Sequence, residues 1–246
     1  MPDPKIQLPV TDAYVHVQLL NGGSMTARSH LIHAGEEPTT EFRLYNWAFF
    51  IHHAKQGRRM LWDLGMSSPC TLGSLSTGHL VNPSSPWDGR YFDPERATER
   101  WETLQGPWTR FGPFERAMDF FGDGSFWVIQ APGHMPGNLG ACARLSTGEW
   151  VMLASDCCHS RALLDGTKEF GTFELNGNMA CLHTDVTAAK DTLARIRLIE
   201  KELGVHVALA HDPTWMQDES DPVLLSLLDE KFVKDMRAAF PQQQPF

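Results

Sequence analysis

The pattern of apolar and polar positions predicts three strands near the start of the chain. Residues 14–20 (YVHVQLL) begin with an alternating pattern and are rich in β-branched and aromatic side chains. Residues 46–53 (NWAFFIHH) and 59–64 (RMLWDL) are two apolar runs separated by a short polar turn. Two such runs joined by a glycine-containing turn are typical of a hairpin of core strands. The first quarter of the chain is therefore predicted to form a sheet.

The second half of the chain predicts helices between further strands. Residues 184–203 carry apolar side chains at helical spacing and precede Gly204, and residues 221–240 predict a second amphipathic helix. Residues 114–121 (FERAMDFF) predict a short helix or turn. Further strands are predicted at residues 125–130, 139–145, 150–155 and 206–212. Strands first, followed by strand–helix–strand, indicate a mixed α/β protein with a layered sheet.

A long irregular segment separates these two halves. Residues 65–113 are rich in serine, glycine and proline, with one predicted helix that begins after Asp93. An irregular segment of this length is typical of a lid or a binding loop. Residues 241–246 (PQQQPF) predict a flexible tail, so residues 1–240 are predicted to form one domain.

Composition excludes some classes of function. The 246-residue chain has a formal net charge of -9, so it lacks the positive surplus that neutralises nucleic-acid phosphates. Its apolar runs are too short to cross a bilayer, and its first residues do not resemble a secretory signal. Five cysteines without a repeating pattern favour reduced thiols. We therefore expect a cytoplasmic protein that binds neither nucleic acid nor membranes; the oligomeric state is not predicted.

Three apolar strands of the second half end in a possible metal ligand: His134, Asp156 and His211. Residues at strand ends are exposed at the sheet edge yet held by the strand's hydrogen bonds. Two Pro-Gly pairs flank His134 in APGHMPGNLG (residues 131–140), which would fix the direction of its side chain. Two imidazoles and a carboxylate suit zinc, iron or manganese. Each residue alone also fits an ordinary loop, a cap or a surface position, and their joint occurrence favours a cluster.

Four short elements in this order resemble the metallo-β-lactamase fold superfamily, in its branch of lactonase-like hydrolases. LWDLG (residues 61–65) resembles its D-x-G strand end, and APGHMPGNLG resembles its PGH-[TS]-PG loop. LASD (153–156) resembles its GD element, and ALAHD (208–212) resembles its terminal histidine strand. With the apolar run 46–53 and the helix 184–203, the resemblance covers most of the chain.

The resemblance implies an αβ/βα four-layer sandwich with two metals, usually zinc, at one edge of the paired sheets. It makes His134 a ligand of the first metal, Asp156 the carboxylate that bridges both, and His211 a ligand of the second. The activated hydroxide would attack a small acyl substrate such as a lactone, an ester, a thioester or a lactam.

This sequence lacks the H-x-H-x-D-H motif of the family, which supplies four of the ligands. None of the eleven histidines forms an H-x-H pair, and the stretch between Asp63 and His134 is shorter than the family uses. The fold is therefore predicted to be shortened by a βα unit in its first half, near residues 66–80. At most one metal, held by His134, Asp156 and His211, is then expected.

Other residues near these strand ends are alternative donors. His159 follows Asp156 by three positions, and His79 lies inside the irregular segment. Cys157 and Cys158 are soft donors, although neighbouring residues on an extended chain point apart. The remaining alternatives are His30 and His33, which would need a helix, and the core-strand pair His52 and His53.

Two functions remain open at this point. The first is a metal-dependent hydrolase of lactone, ester or thioester substrates with an incomplete centre and reduced or no activity. Its acyl site could be walled by aromatic residues that are equally suited to core packing: Trp87, Tyr91, Phe92, Trp101, Trp108 and Phe111. The second is a non-catalytic relative that has lost its metal centre and acts, if at all, by binding, or is vestigial; it includes a truncated splice or gene-model form. The remaining ligands are too few to hold two metals.

Overall fold

The computed structural model describes residues 6–63, 102–175 and 177–239, with side chains up to residue 234. The chain divides into two compact units, residues 1–65 with 107–246, and residues 66–106. All the elements below belong to the first unit. The helix predicted after Asp93, the predicted site of the missing βα unit and the predicted tail lie outside the described residues. The single domain over residues 1–240 stays a prediction.

The first sheet has three antiparallel strands, as the sequence predicts. The strands are β1 (His16–Arg28), β2 (Glu41–His53) and β3 (Arg58–Trp62), with β2 in the middle. A short helix, α1 (Ser29–Ile32), connects β1 to β2, and a 3₁₀ turn (Ala54–Gln56) precedes β3. β1 and β2 are longer than predicted.

The second sheet has six strands in the order β11–β8–β7–β6–β5–β4. β11 is parallel to β8 and the other pairs are antiparallel. The prediction of a helix or turn at residues 114–121 is wrong, because this segment pairs with β6 as a strand. The strands are β4 (Thr109–Phe111), β5 (Phe114–Asp119), β6 (Phe126–Gln130), β7 (Leu139–Arg144), β8 (Trp150–Leu153) and β11 (His206–Ala208).

The principal helix of the described chain packs on the six-stranded sheet. It begins after Asp185, whose side chain accepts a hydrogen bond from the Ala188 amide, and it ends at Gly204 with φ of 65°. The segment 221–240, predicted as one helix, forms two. The helices are α2 (Arg161–Asp165), α3 (Val186–Leu203), α4 (Thr214–Gln217), α5 (Pro222–Leu225) and α6 (Glu230–Ala239). Strands β9 (Phe173–Leu175) and β10 (Asn178–Ala180) form a small hairpin between α2 and α3.

Alternation along the central strands builds two hydrophobic cores. Trp127 and Ile129 of β6 face the core that includes α3, whereas Phe126 and Val128 face the core shared with β1 and β2. A strand that is buried on both faces has a continuous apolar sequence. Residues 125–130 and 150–155 accordingly have polar residues only at their ends. Within the described ranges, no helix is long and apolar enough to cross a membrane.

Candidate metal centre

The three ligands predicted from the sequence lie at one edge of the six-stranded sheet. β6, β8 and β11 all run in the same direction, and they precede His134, Asp156 and His211 respectively. Asp156 lies in a 3₁₀ turn (Ser155–Cys157) that starts with Ser155 at a φ of 45°. A non-glycine residue in this region is strained, and such strain is concentrated at functional sites.

Asp156 and His211 are directly hydrogen-bonded. Nε2 of His211 lies 2.6 Å from Oδ1 of Asp156, and Nδ1 donates to the backbone carbonyl of Tyr45. Burial lowers the pKa of His211, but the hydrogen bond and charge of Asp156 outweigh it and raise that pKa overall. Burial raises the pKa of Asp156, but the His211 hydrogen bond and the nearby imidazoles hold it well below its ordinary value. Asp156 is therefore an ionised carboxylate at neutral pH.

His159 approaches the same carboxylate oxygen of Asp156 as His211 does. Its Nε2 lies 3.9 Å from Oδ1 of Asp156, and its ring stacks on that of His211 with centroids 5.2 Å apart. The ligand atoms of His134, Asp156 and His159 all lie within 4.8 Å of one another. The Asp156 side chain is 34% exposed, so solvent reaches the group. The alternative donor His159 thus lies in the group with His134, whereas His211 contacts the group through Asp156 and through the ring of His159.

The loop that carries His134 is fixed by its first Pro-Gly pair. Gly133 has a φ of 138°, and a Cβ atom there would lie 2.4 Å from Cα of Ala189 in α3. The carbonyls of Gly133 and His134 accept hydrogen bonds from the amides of Asp185 and Thr184, each at 3.0 Å. A Cβ at Gly137 would meet no atom within 4 Å, so the second pair is not constrained in this way.

His183 is a member of the cluster that the sequence analysis missed. Its ring centroid lies 5.2 Å from those of His134 and His159, and 4.5 Å from that of Phe170. It has no ligand-motif spacing to any other histidine, and its position just before α3 is its only sequence signal. Within the described ranges, neither of its ring nitrogens has a hydrogen-bond partner, nor does Nδ1 of His134.

The imidazoles of His134, His159 and His183 are neutral at physiological pH. Burial, followed by the neighbouring His134, lowers the pKa of His183 to about 4. Burial is also the main cause that lowers the pKa of His134 and, more strongly, that of His159. Neutral imidazole nitrogens and an ionised carboxylate are the protonation states that bind metal. The donor set therefore fits a divalent cation.

The other candidate donors are poorly suited to metal binding. Burial raises the thiol pKa of Cys157 to about 12 and that of Cys158 well above its ordinary value, which disfavours thiolates. His33 is hydrogen-bonded to the hydroxyl of Ser160 at 2.7 Å. His53 is hydrogen-bonded to a carboxylate outside the cluster. His79 lies outside the described residues.

Comparison with known proteins matches no family model. A cytochrome P450 monooxygenase, mpaDE' of Penicillium brevicompactum, is 36% identical over 128 residues, which are 46% of this chain and 15% of that protein. The metallo-hydrolase mfmC of Annulohypoxylon moriforme is 49% identical over 57 residues, 22% of this chain and 15% of that protein. The matched region thus spans less than a fifth of the length of either relative.

A solved N-acyl homoserine lactone hydrolase, with the product N-hexanoyl-L-homoserine bound at its catalytic metal centre, shares the fold. It superposes with a TM-score of 0.55 at 11% identity and covers 85% of this chain and 97% of its own. The mixed α/β chain therefore has the metallo-β-lactamase fold. The resemblance of the four strand-end elements is confirmed at the level of the fold.

Proposed function

We propose that this chain is a metal-dependent hydrolase of lactone, ester or thioester substrates, with one divalent ion at the Asp156 edge of the sheet. The observation that carries the proposal is the group of ligand atoms from His134, Asp156 and His159 within 4.8 Å of one another. Zinc suits two imidazoles and a carboxylate and leaves a coordination position open for water or substrate.

The residues at this edge would have different roles in such a site. His134 and His159 would hold the ion through neutral nitrogens, and Asp156 would supply a negative charge that offsets part of the ion's charge. When bound, the ion would lower the pKa of a water molecule and polarise the substrate carbonyl. His211, fixed by the Tyr45 carbonyl, holds the Asp156 carboxylate in one orientation.

The sequence-based set, in which His211 is itself a ligand with His134 and Asp156, is the alternative arrangement of the same site. It is supported by the short Asp156–His211 distance of 2.6 Å. In the present arrangement, Nε2 of His211 donates a hydrogen bond to the Asp156 carboxylate. For His211 to bind the ion, Nε2 must lose that proton, because a ligand nitrogen must offer its lone pair. The two arrangements share His134 and Asp156.

The substrate class rests on the shared fold and on the exposed Asp156. The structural neighbour binds the product of lactone hydrolysis at its metal centre. Of the aromatic residues considered as walls of an acyl site, Phe111 is buried against Trp127 and Trp150 and belongs to the core. Trp108 is partly buried with Arg116 over its ring, and the other four lie outside the described residues.

We also propose that the protein is cytoplasmic, because Cys142, Cys157, Cys158 and Cys181 are free thiols in the described structure. A small acyl molecule would be its partner. The proposal includes no nucleic acid, in keeping with the net charge of -9.

Metal content and lactone hydrolysis test this function. Protein purified without chelator should contain about one equivalent of zinc, manganese or iron, and added zinc should raise its melting temperature. It should hydrolyse some member of a panel of lactones, esters and thioesters, and Asp156→Asn should abolish that turnover. A protein that binds none of these metals and is not stabilised by them would support the non-catalytic alternative.

A further inference from the structure

Three histidine rings on the buried side of Asp156 form a nearly equilateral cluster. The ring centroids of His134, His159 and His183 are each 5.2 Å apart, and their planes cross at 68°, 79° and 74°. They come from three separate segments: the loop after β6, the turn after β8 and the segment before α3. Of the three, only His134 is predicted as a ligand from the sequence, with His159 as an alternative donor.

This spacing matches the geometry of imidazoles around one tetrahedral ion. A zinc–nitrogen distance of about 2.0–2.1 Å places a ring centre about 3.2 Å from the ion, and a tetrahedral angle then separates two ring centres by about 5.2 Å. The three observed distances all agree with this value. The stacked pair His159–His211 has the same separation, so the comparison rests on the mutual triangle of three steeply crossed rings and not on one distance. The carboxylate of Asp156 adjoins the same cluster through His159.

Three nitrogens of the cluster lack hydrogen-bond partners among the residues that the structure describes. Both nitrogens of His183 and Nδ1 of His134 are buried with no hydrogen-bond partner. A buried polar group left in this state costs about 1–3 kcal/mol, so native proteins rarely keep several together without a ligand or a function. His183 itself is only 3% exposed, and Phe170 covers its ring.

We infer that His183 is a ligand of the bound ion, and that with His134, His159 and Asp156 it forms a three-histidine, one-aspartate site. The water or substrate of the proposed function would then take a fifth coordination position, which zinc can adopt during catalysis. The inference rests on the proposed function, because it presupposes an ion at this edge. The group of atoms within 4.8 Å contains His134, Asp156 and His159, so ligation by His183 requires its ring to turn toward them. No hydrogen bond holds that ring in its present orientation.

His159 and His183 would thus take the place of imidazoles that the H-x-H-x-D-H motif, absent from this sequence, supplies in the family that the sequence resembles. His159 and His183 lie on segments that follow Asp156 in the chain, so the replacement needs no residue between Asp63 and His134. His211 stays outside this shell as the hydrogen-bond partner of Asp156.

Zinc affinity of the full chain tests the inference. We expect His183→Phe, which keeps a ring of similar volume, to weaken zinc binding by more than about 100-fold in competition with a chromophoric chelator. Residues that only orient ligands typically account for about 10–100-fold. His16→Phe, at an exposed histidine of β1, is the matched control and should leave the affinity within about twofold.

A measurement on the unmodified protein covers the case in which His183→Phe does not fold. Two-bond proton–nitrogen NMR should show the ring nitrogens of His134, His159 and His183 all shifting as one equivalent of zinc is added. If zinc binds but His183→Phe retains the wild-type affinity, or the His183 nitrogens do not shift, the inference is overturned and the rings are an aromatic cluster. If the wild-type protein binds no divalent metal, the proposed function itself fails.

Discussion

Two partly buried histidine–aspartate hydrogen bonds in the described part of the chain have the same length but very different surroundings. Nε2 of His53 lies 2.6 Å from Asp123, and Nε2 of His211 lies 2.6 Å from Asp156. The first pair joins β2 to the turn before β6, and the second joins the ends of β8 and β11. Seen as isolated pairs, they are indistinguishable.

The polar atoms around the first pair are satisfied by the protein. Nδ1 of His53 accepts the amide of Gln56, so its Nε2 carries the proton that Asp123 accepts. The other carboxylate oxygen of Asp123 accepts hydrogen bonds from the amide and the hydroxyl of Ser125. Such a closed network stabilises a turn and has no free electron pairs aimed at a ligand.

The second pair adjoins imidazoles of which three nitrogens have no hydrogen-bond partner among the described residues. Asp156 lies beside His159, and the rings of His134 and His183 complete the cluster with unpaired buried nitrogens. A histidine–aspartate pair therefore does not by itself support a metal site. The unpaired nitrogens next to the second pair are what support the site proposed there.

The largest expected effect is on zinc affinity, when the carboxylates of Asp156 and Asp123 are replaced by amides in separate variants. Asp156→Asn should weaken zinc affinity about 1,000-fold, about 4 kcal/mol, because it removes the only anionic member of the group. Asp123→Asn should leave zinc affinity unchanged and should lower the free energy of unfolding by about 1–3 kcal/mol. Calorimetric zinc titration and urea unfolding measure the two quantities. Equal loss of zinc affinity in both variants would contradict the assignment of only the Asp156 pair to the metal site.

Acid should destabilise the metal-free protein through the unpaired cluster. His183 has a pKa of about 4 in the folded chain against 6.5 when unfolded, because of burial and then of the neighbouring His134. The unfolded chain therefore takes up this proton first, so stability is full above pH 6.5 and falls as the pH drops toward 4. The loss from this residue should be about 3 kcal/mol.

His183→Phe isolates that contribution, because the variant lacks the titrating group while it keeps the ring volume. Urea unfolding with chelator present, repeated between pH 7 and pH 4, should show a shallower loss of stability for the variant. Identical pH dependence in the two proteins would contradict the assignment of a neutral buried His183.

A smaller effect separates the two glycines of the His134 loop. Gly133→Ala should lower the free energy of unfolding by about 1–3 kcal/mol, because its Cβ would lie 2.4 Å from the backbone of Ala189. It should also weaken zinc binding by displacing His134. Gly137→Ala, where a Cβ meets nothing within 4 Å, should change neither quantity measurably. Thermal melting and zinc titration of both variants test this, and similar behaviour of the two would contradict it.

The strands and the principal helix could be predicted from the sequence because apolar periodicity and capping residues determine them locally. Residues 125–130 and 150–155 and the helix ended by Gly204 are examples. The sequence predicts a helix or turn at β5 because glutamate, alanine and methionine favour helices in isolation. Its pairing with β6, a tertiary interaction, overrides that preference.

Only part of the candidate site could be predicted, because tertiary contacts bring one of its residues into place. His134, Asp156 and His211 follow apolar strands, so the sheet direction brings them together and the sequence shows it. His159 was identified as an alternative by its spacing from Asp156. His183 was missed because its approach depends on how the start of α3 docks against the His134 loop, through the Thr184 and Asp185 amides.

The most direct test of the metal centre is anomalous X-ray scattering at the zinc edge from a crystal of the full chain grown with one equivalent of zinc. We predict a single anomalous peak within bonding distance of Asp156 and of the His134, His159 and His183 imidazoles, and none beside Asp123. A crystal with no peak near Asp156, or with the ion bound elsewhere in the chain, would contradict the account.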